Sequence, residues 1–175
     1  MAHPDVADLY LTTSGLLPLA FGVPLATNPG AAMIVFDPAY CAGLGLAPAD
    51  EGRWKANYTG SPFLVDAADA GVDRIDVFDP AITTPEGIGI GSTLSELQAA
   101  YPGLVAGSGG IVSHVWLIQD SNGTVVFETQ NPAMDPSVAA APSDPVILMR
   151  ALSPAWGAYV DWAAANSDNV AGGCL

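Results

Sequence analysis

The chain has 175 residues, half of them hydrophobic, with eighteen acidic residues against four basic ones and a formal net charge of −14. A chain of that length buries roughly 70% of its unfolded surface in one domain without help from metals. Its negative field repels phosphate backbones and anionic lipid, which argues against nucleic acid and peripheral membrane partners.

Nineteen glycines and fifteen prolines favour turns and short strands over long helices. The two cysteines, Cys41 and Cys174, fit no zinc pattern, which needs four ligands at close pairwise spacing. A long-range Cys41–Cys174 disulfide in an exported protein is the expectation, with two buried thiols as the alternative. No uninterrupted apolar run reaches membrane-spanning length, and Met1 to Pro4 reads as a start left after removal of a leader.

Residues 9–36 hold a worn echo of a later stretch. Leu11-Thr-Thr-Ser-Gly15 parallels Ile82-Thr-Thr-Pro-Glu-Gly87, and Phe21-Gly22-Val-Pro-Leu25 parallels Ile90-Gly91-Ser-Thr-Leu94. The echo divides a single domain, 1–175, into half-repeats 9–70 and 71–175. In the first copy Asn28-Pro29-Gly30 cuts a helix short. Short strands are expected at Trp54 to Tyr58 and Phe63 to Val65. Arg74 to Phe78 alternates, placing Ile75 and Val77 on one face.

The best-defined motif follows. Thr93 and Glu96 have capping-box spacing, Leu94, Leu97 and Tyr101 form one apolar stripe, and Pro102-Gly103 stops the helix. Next comes a hairpin, Val112 to Gln119 and Thr124 to Thr129, with Asn122-Gly123 as its two-residue turn. That turn sets Ile118 opposite Phe127 and Trp116 opposite Thr129. His114, Trp116, Ile118, Val125 and Phe127 then share the core face. Val115, Leu117, Gln119, Val126 and Glu128 share the other. A Pro-rich loop, 131–145, precedes a last strand at Val146 to Leu152; Trp156 to Trp162 reads equally as strand or short helix.

Chemical motifs are sparse. The glycines at 87, 89 and 91 match neither a dinucleotide fingerprint nor a P-loop, so they form a backbone turn into the helix. Ser113 and His114 are adjacent in a strand and point to opposite faces, a poor nucleophile–base pair. Asp66, Asp69 and Asp73, and separately Asp120 to Gly123, lack the calcium-loop pattern. No metal ligand set, cofactor motif or catalytic residue is assigned.

The run from Gly71 to Asp79 and from Ile82 to Leu97 resembles a module of exported actinobacterial proteins of uncharacterised function. In that module a glycine turn enters a helix, followed by a hairpin, a last strand and a terminal cysteine. His114 to Gln130, Val146 to Leu152 and Cys174 match its later parts. More remotely, a glycine turn and helix followed by antiparallel sheet, present twice, is similar to secreted β-lactamase inhibitor proteins and small barrel-assembly lipoproteins. The resemblance implies a secreted or cell-envelope location and brings no catalytic residue.

These readings converge on an α+β fold: an antiparallel sheet with one or two short helices in two degenerate halves. The expected function is a non-enzymatic secreted or cell-envelope domain that binds a protein partner or envelope component. The binding surface is the outward hairpin face, Val115, Leu117, Gln119, Val126 and Glu128, unless a second layer covers that face and makes it core. A small secreted hydrolase using His114 and scattered acids is the alternative, or a calcium- or salt-stabilised surface protein.

Overall fold

Leucines at 9, 11, 16 and 19 flank the polar turn Thr13-Ser14, and this spacing folds into a tight meander. The computed structural model describes residues 3–43, 52–159 and 171. Strands β1 (Tyr10–Thr12), β2 (Gly15–Leu17) and β3 (Leu19–Ala20) form a three-stranded antiparallel sheet, with all four leucines fully buried. Gly15 stands at φ 124°, and a Cβ there would lie 2.4 Å from the Leu19 carbonyl oxygen, so this turn requires glycine.

Strands β4 (Ile34–Asp37) and β5 (Arg53–Ala56) make a separate two-stranded sheet. The strands β6 (Phe63–Ala68), β7 (Gly71–Val77), β8 (Val105–Ala106), β9 (Ser113–Asp120), β10 (Gly123–Gln130) and β11 (Val146–Leu152) form one antiparallel sheet. Its order is β6-β7-β11-β10-β9-β8. The α-helices of the described residues, α1 (Tyr40–Gly43) and α2 (Leu94–Ala100), are short. The fold is therefore predominantly antiparallel β, and the α+β expectation holds only in that coarser sense.

One face of the large sheet carries Phe63, Val65, Ile75, Val77, Phe127 and Met149 into the main core, where Leu94 and Leu97 of α2 meet them. The capping box forms as its spacing predicts. Thr93 N–H donates to Glu96 Oε2 at 2.7 Å, and Glu96 N–H to Thr93 Oγ1 at 3.3 Å. Two further orphan donors of the helix go to the Pro-rich loop: Leu94 N–H to the Asp144 carbonyl and Ser95 N–H to the Pro142 carbonyl, both at 2.9 Å.

The echo has a local counterpart in three dimensions. Tyr10 bridges Thr83 in parallel, and Leu11 N–H donates to the Thr83 carbonyl at 2.9 Å, so the two Thr-Thr segments lie side by side. Gly22 (φ 69°) and Gly91 (φ 93°) both turn the chain into a helical start. In the second copy that start is α2. In the first it is one 3₁₀ turn, Leu25–Thr27, with Pro24 at its N-cap and no side-chain cap. Buried Asn28 ends it: its side-chain oxygen accepts from Ala20 N–H at 3.2 Å and Gly30 N–H at 3.0 Å.

The hairpin has the expected strands but a different turn. Asp120 pairs with Gly123, Ile118 with Val125 and Trp116 with Phe127, which makes Ser121-Asn122 the two-residue loop. The Asp120 carboxylate accepts from Asn122 N–H at 2.7 Å, an Asx turn that centres the bend one residue early. Gly123 serves another need. It stands at φ 152°, and a Cβ there would fall 2.4 Å from the Leu152 carbonyl oxygen and 2.5 Å from that of Thr13. The pairing slips by two residues, so each hairpin residue keeps its expected face.

Candidate functional site

Period-2 alternation puts Arg74 and Asp76 of β7, Arg150 of β11 and Val126 and Glu128 of β10 on the sheet face opposite the main core. Asp76 and Arg150 are direct cross-strand partners. All four charged side chains are buried: Asp76, Glu128 and Arg150 at 0% exposure and Arg74 at 1%. Arg74 grips Asp76 with two donors, Nε to Oδ1 at 2.9 Å and Nη2 to Oδ2 at 2.7 Å. Arg150 lies 3.5 Å from Asp76 Oδ1 and 3.4 Å from Glu128 Oε1, and Ser113 Oγ donates to Glu128 Oε2 at 2.6 Å. Two positive and two negative charges thus form a neutral cluster across three strands.

Burial sets the protonation of this cluster. It pushes the Glu128 carboxyl above its ordinary value, against the Ser113 hydrogen bond and the Arg150 charge that hold it down. Burial likewise lowers Arg150, opposed by the Asp76 and Glu128 charges.

The chain after β11 covers this face. An extra residue in β7, Asp73, sits between the pairs Asp66–Arg74 and Ala67–Val72 as a bulge. Its freed carbonyl accepts from Ser153 N–H at 2.8 Å and from the Trp156 indole at 3.1 Å. Trp156 packs with Val115, Val126 and Leu152 in a second small core, and its ring lies 5.7 Å from the Arg74 guanidinium. Ala171 N–H donates to Asp76 Oδ2 at 2.9 Å.

The expected binding face is accordingly not an open patch. Val115, Val126 and Glu128 are buried, Leu117 is half-buried, and Gln119 alone of the five is exposed. Trp156 packs on Val115 and Val126, and Ala171 N–H reaches Asp76, so the chain after β11 covers this part of the face. The competing reading, a second layer, describes this face.

Other sequence candidates separate or stay apart. Ser113 is buried and bonded to Glu128, while half-buried His114 follows it toward the other face, so they form no nucleophile–base pair. Asp66, Asp69 and Asp73 do come to one groove, but the described residues hold no group of three or more acidic, histidine or cysteine side chains placed to ligate a metal. Cys41 is fully buried and carries no free thiol; Cys174 lies outside the described residues, as does the part of Trp156 to Trp162 from residue 160 on. Within the described part, Pro154–Tyr159 is 3₁₀ turn rather than strand.

That groove was not anticipated. It has a volume of about 800 Å³ and runs between the β4–β5 sheet and the β6–β7 hairpin. Phe36 of β4, 49% exposed, meets Trp54 of β5 edge-to-face at 5.6 Å on one wall, which Arg53 of β5 also lines. Ala67, Ala68 and the three aspartates form the other. The overlooked signal was the apolar run Ile34-Val-Phe36, too short for a helix, ending in Asp37-Pro38. A second cavity, about 260 Å³, lies beside Tyr101, Glu86 and Asp120. There Tyr101 donates to Glu86, and burial raises the phenol well above its ordinary value.

No family model matches the chain, and no curated protein does. No helix among the described residues is long and apolar enough to cross a membrane. Among solved structures the chain is similar to the uncharacterized protein yfeY from Escherichia coli, with a TM-score of 0.49 and 14% identity over 82% of this chain and 99% of that one.

Proposed function

We propose that the protein is a non-enzymatic binding domain of the cell exterior or envelope, and that its site is the groove at Phe36 and Trp54. One observation carries this reading. The half-exposed ring of Phe36 meets half-buried Trp54 beside a groove of about 800 Å³, whereas Val115, Val126 and Leu152 on the large sheet's second face are covered. Half-exposed aromatic rings lining a concavity are characteristic of ligand sites, where they give contact area with little loss of side-chain freedom. The Cys41–Cys174 disulfide belongs to the same proposal, as a link suited to an oxidising compartment.

Backbone amide spectra of the ¹⁵N-labelled protein, recorded against defined peptides and oligosaccharides, test the site. The expected shifts cluster at Phe36, Trp54 and Ala68. Shifts confined to other surfaces refute the groove. Hydrolysis of a probe that disappears in His114→Ala, with the fold retained, refutes the non-enzymatic reading and restores the hydrolase alternative.

A further inference from the structure

We infer that the groove's occupant is a basic segment of a partner polypeptide; this rests on the groove being the binding site and adds the chemistry of what fills it. The first argument is the distribution of charge. The chain has four basic side chains, and two of them, Arg74 and Arg150, are consumed inside the sheet. The other two, Arg53 and Lys55, both lie on β5, where Lys55 donates to Asp37 at 2.6 Å. β5 is therefore the one strand that presents positive side chains to solvent, and its Arg53 lines the groove, where three carboxylates, Asp66, Asp69 and Asp73, outnumber that one guanidinium. An approaching cation is drawn inward and an approaching anion is turned away.

The second argument is the chemistry of the two walls. Asp69 and Asp73 are exposed on the β6–β7 side, facing the exposed ring of Phe36 and the half-buried ring of Trp54 across the groove. A lysine or arginine side chain fits both walls at once. Its methylene stem covers the aromatic ring faces while its head group reaches a carboxylate. A neutral sugar would use the rings and leave the aspartates solvated, and a free metal ion would ignore the rings.

Isothermal titration with three acetylated and amidated hexapeptides tests this: alternating lysine and valine, alternating glutamine and valine, and alternating glutamate and valine. The lysine peptide should bind, with the glutamine peptide at least about tenfold weaker and the glutamate peptide undetectable. Asp69→Lys and Ala68→Lys, both at exposed positions, should each weaken the lysine peptide about tenfold. Glu86→Lys, in the separate cavity, should leave it within about twofold, and Trp54→Ala should weaken it at unchanged net charge. Equal losses in Asp69→Lys and Glu86→Lys would show diffuse attraction to an acidic surface and overturn the inference. Tighter binding of the glutamine peptide, with amide shifts still at Phe36 and Trp54, would overturn the basic partner while leaving the groove as the site. If none of the three peptides moves a groove resonance, the inference of a basic partner fails, and the oligosaccharide titrations decide the groove.

Discussion

The Glu128 carboxylate faces Arg150 and Ser113 inside the sheet's second layer, so truncating it removes a buried counter-charge. Glu128→Ala should cost about 3–5 kcal/mol, as much as Phe127→Ala, also about 3–5 kcal/mol, on the other face. A solvent-facing glutamate would have cost within about 0.5 kcal/mol, so chemical denaturation of the pair distinguishes a covered face from an open one. The raised Glu128 value also has a pH signature. Its contribution to stability is fully present below the ordinary glutamate value of 4.5 and is lost as pH rises through the raised one. Glu128→Gln cannot titrate, so the wild-type melting temperature minus that of the variant should fall as pH is raised from 4.5. A difference that grows with pH would contradict the assignment. Gly123 makes the third case at this scale. Gly123→Ala would drive a methyl into two carbonyl oxygens at 2.4 and 2.5 Å, so it should destabilise by more than about 1 kcal/mol, where a conformationally compatible Gly→Ala would stabilise.

Local elements were legible where a short-range rule decided them. The capping box, the buried Leu94 and Leu97, β11 and the two faces of the hairpin all follow from spacing alone. Thr93→Ala should accordingly cost about 1 kcal/mol in thermal unfolding. What escaped the sequence were contacts between distant segments. Asn122-Gly123 matched the favoured turn, yet the Asp120 carboxylate moved the bend, and Gly123 answers to Leu152 and Thr13 instead. Ile75 and Val77 were placed correctly, but the same alternation puts Arg74 and Asp76 on the opposite face, where Arg150 and Glu128 join them only after three strands align. Arg74 and Arg150, each set among the apolar residues of an expected strand, were the available signal. The groove was invisible for the same reason: its walls, Phe36 with Trp54 and Asp69 with Asp73, come from two hairpins whose contact no periodicity reports.

At the scale of the whole molecule, burying Arg74 and Arg150 with Asp76 and Glu128 leaves the net charge of −14 to be carried by the exterior. Such self-repulsion destabilises the compact state, and salt screens it over about 8 Å at physiological strength. Sodium chloride should therefore raise the melting temperature. Calcium chloride at matched ionic strength should add nothing specific, because the described acids do not converge on a metal; a saturable millimolar calcium effect would revive the calcium-stabilised alternative.

The large sheet packs on both faces, and the proposed binding site is the groove at Phe36 and Trp54. Hydroxyl-radical footprinting read by mass spectrometry tests this arrangement most directly, since oxidation of each side chain follows its exposure. The account predicts strong oxidation of Phe36 in the native protein, with Val115 and Val126 unmodified until unfolding. Oxidation of Val115 and Val126 in the native state, with Phe36 protected, would contradict it.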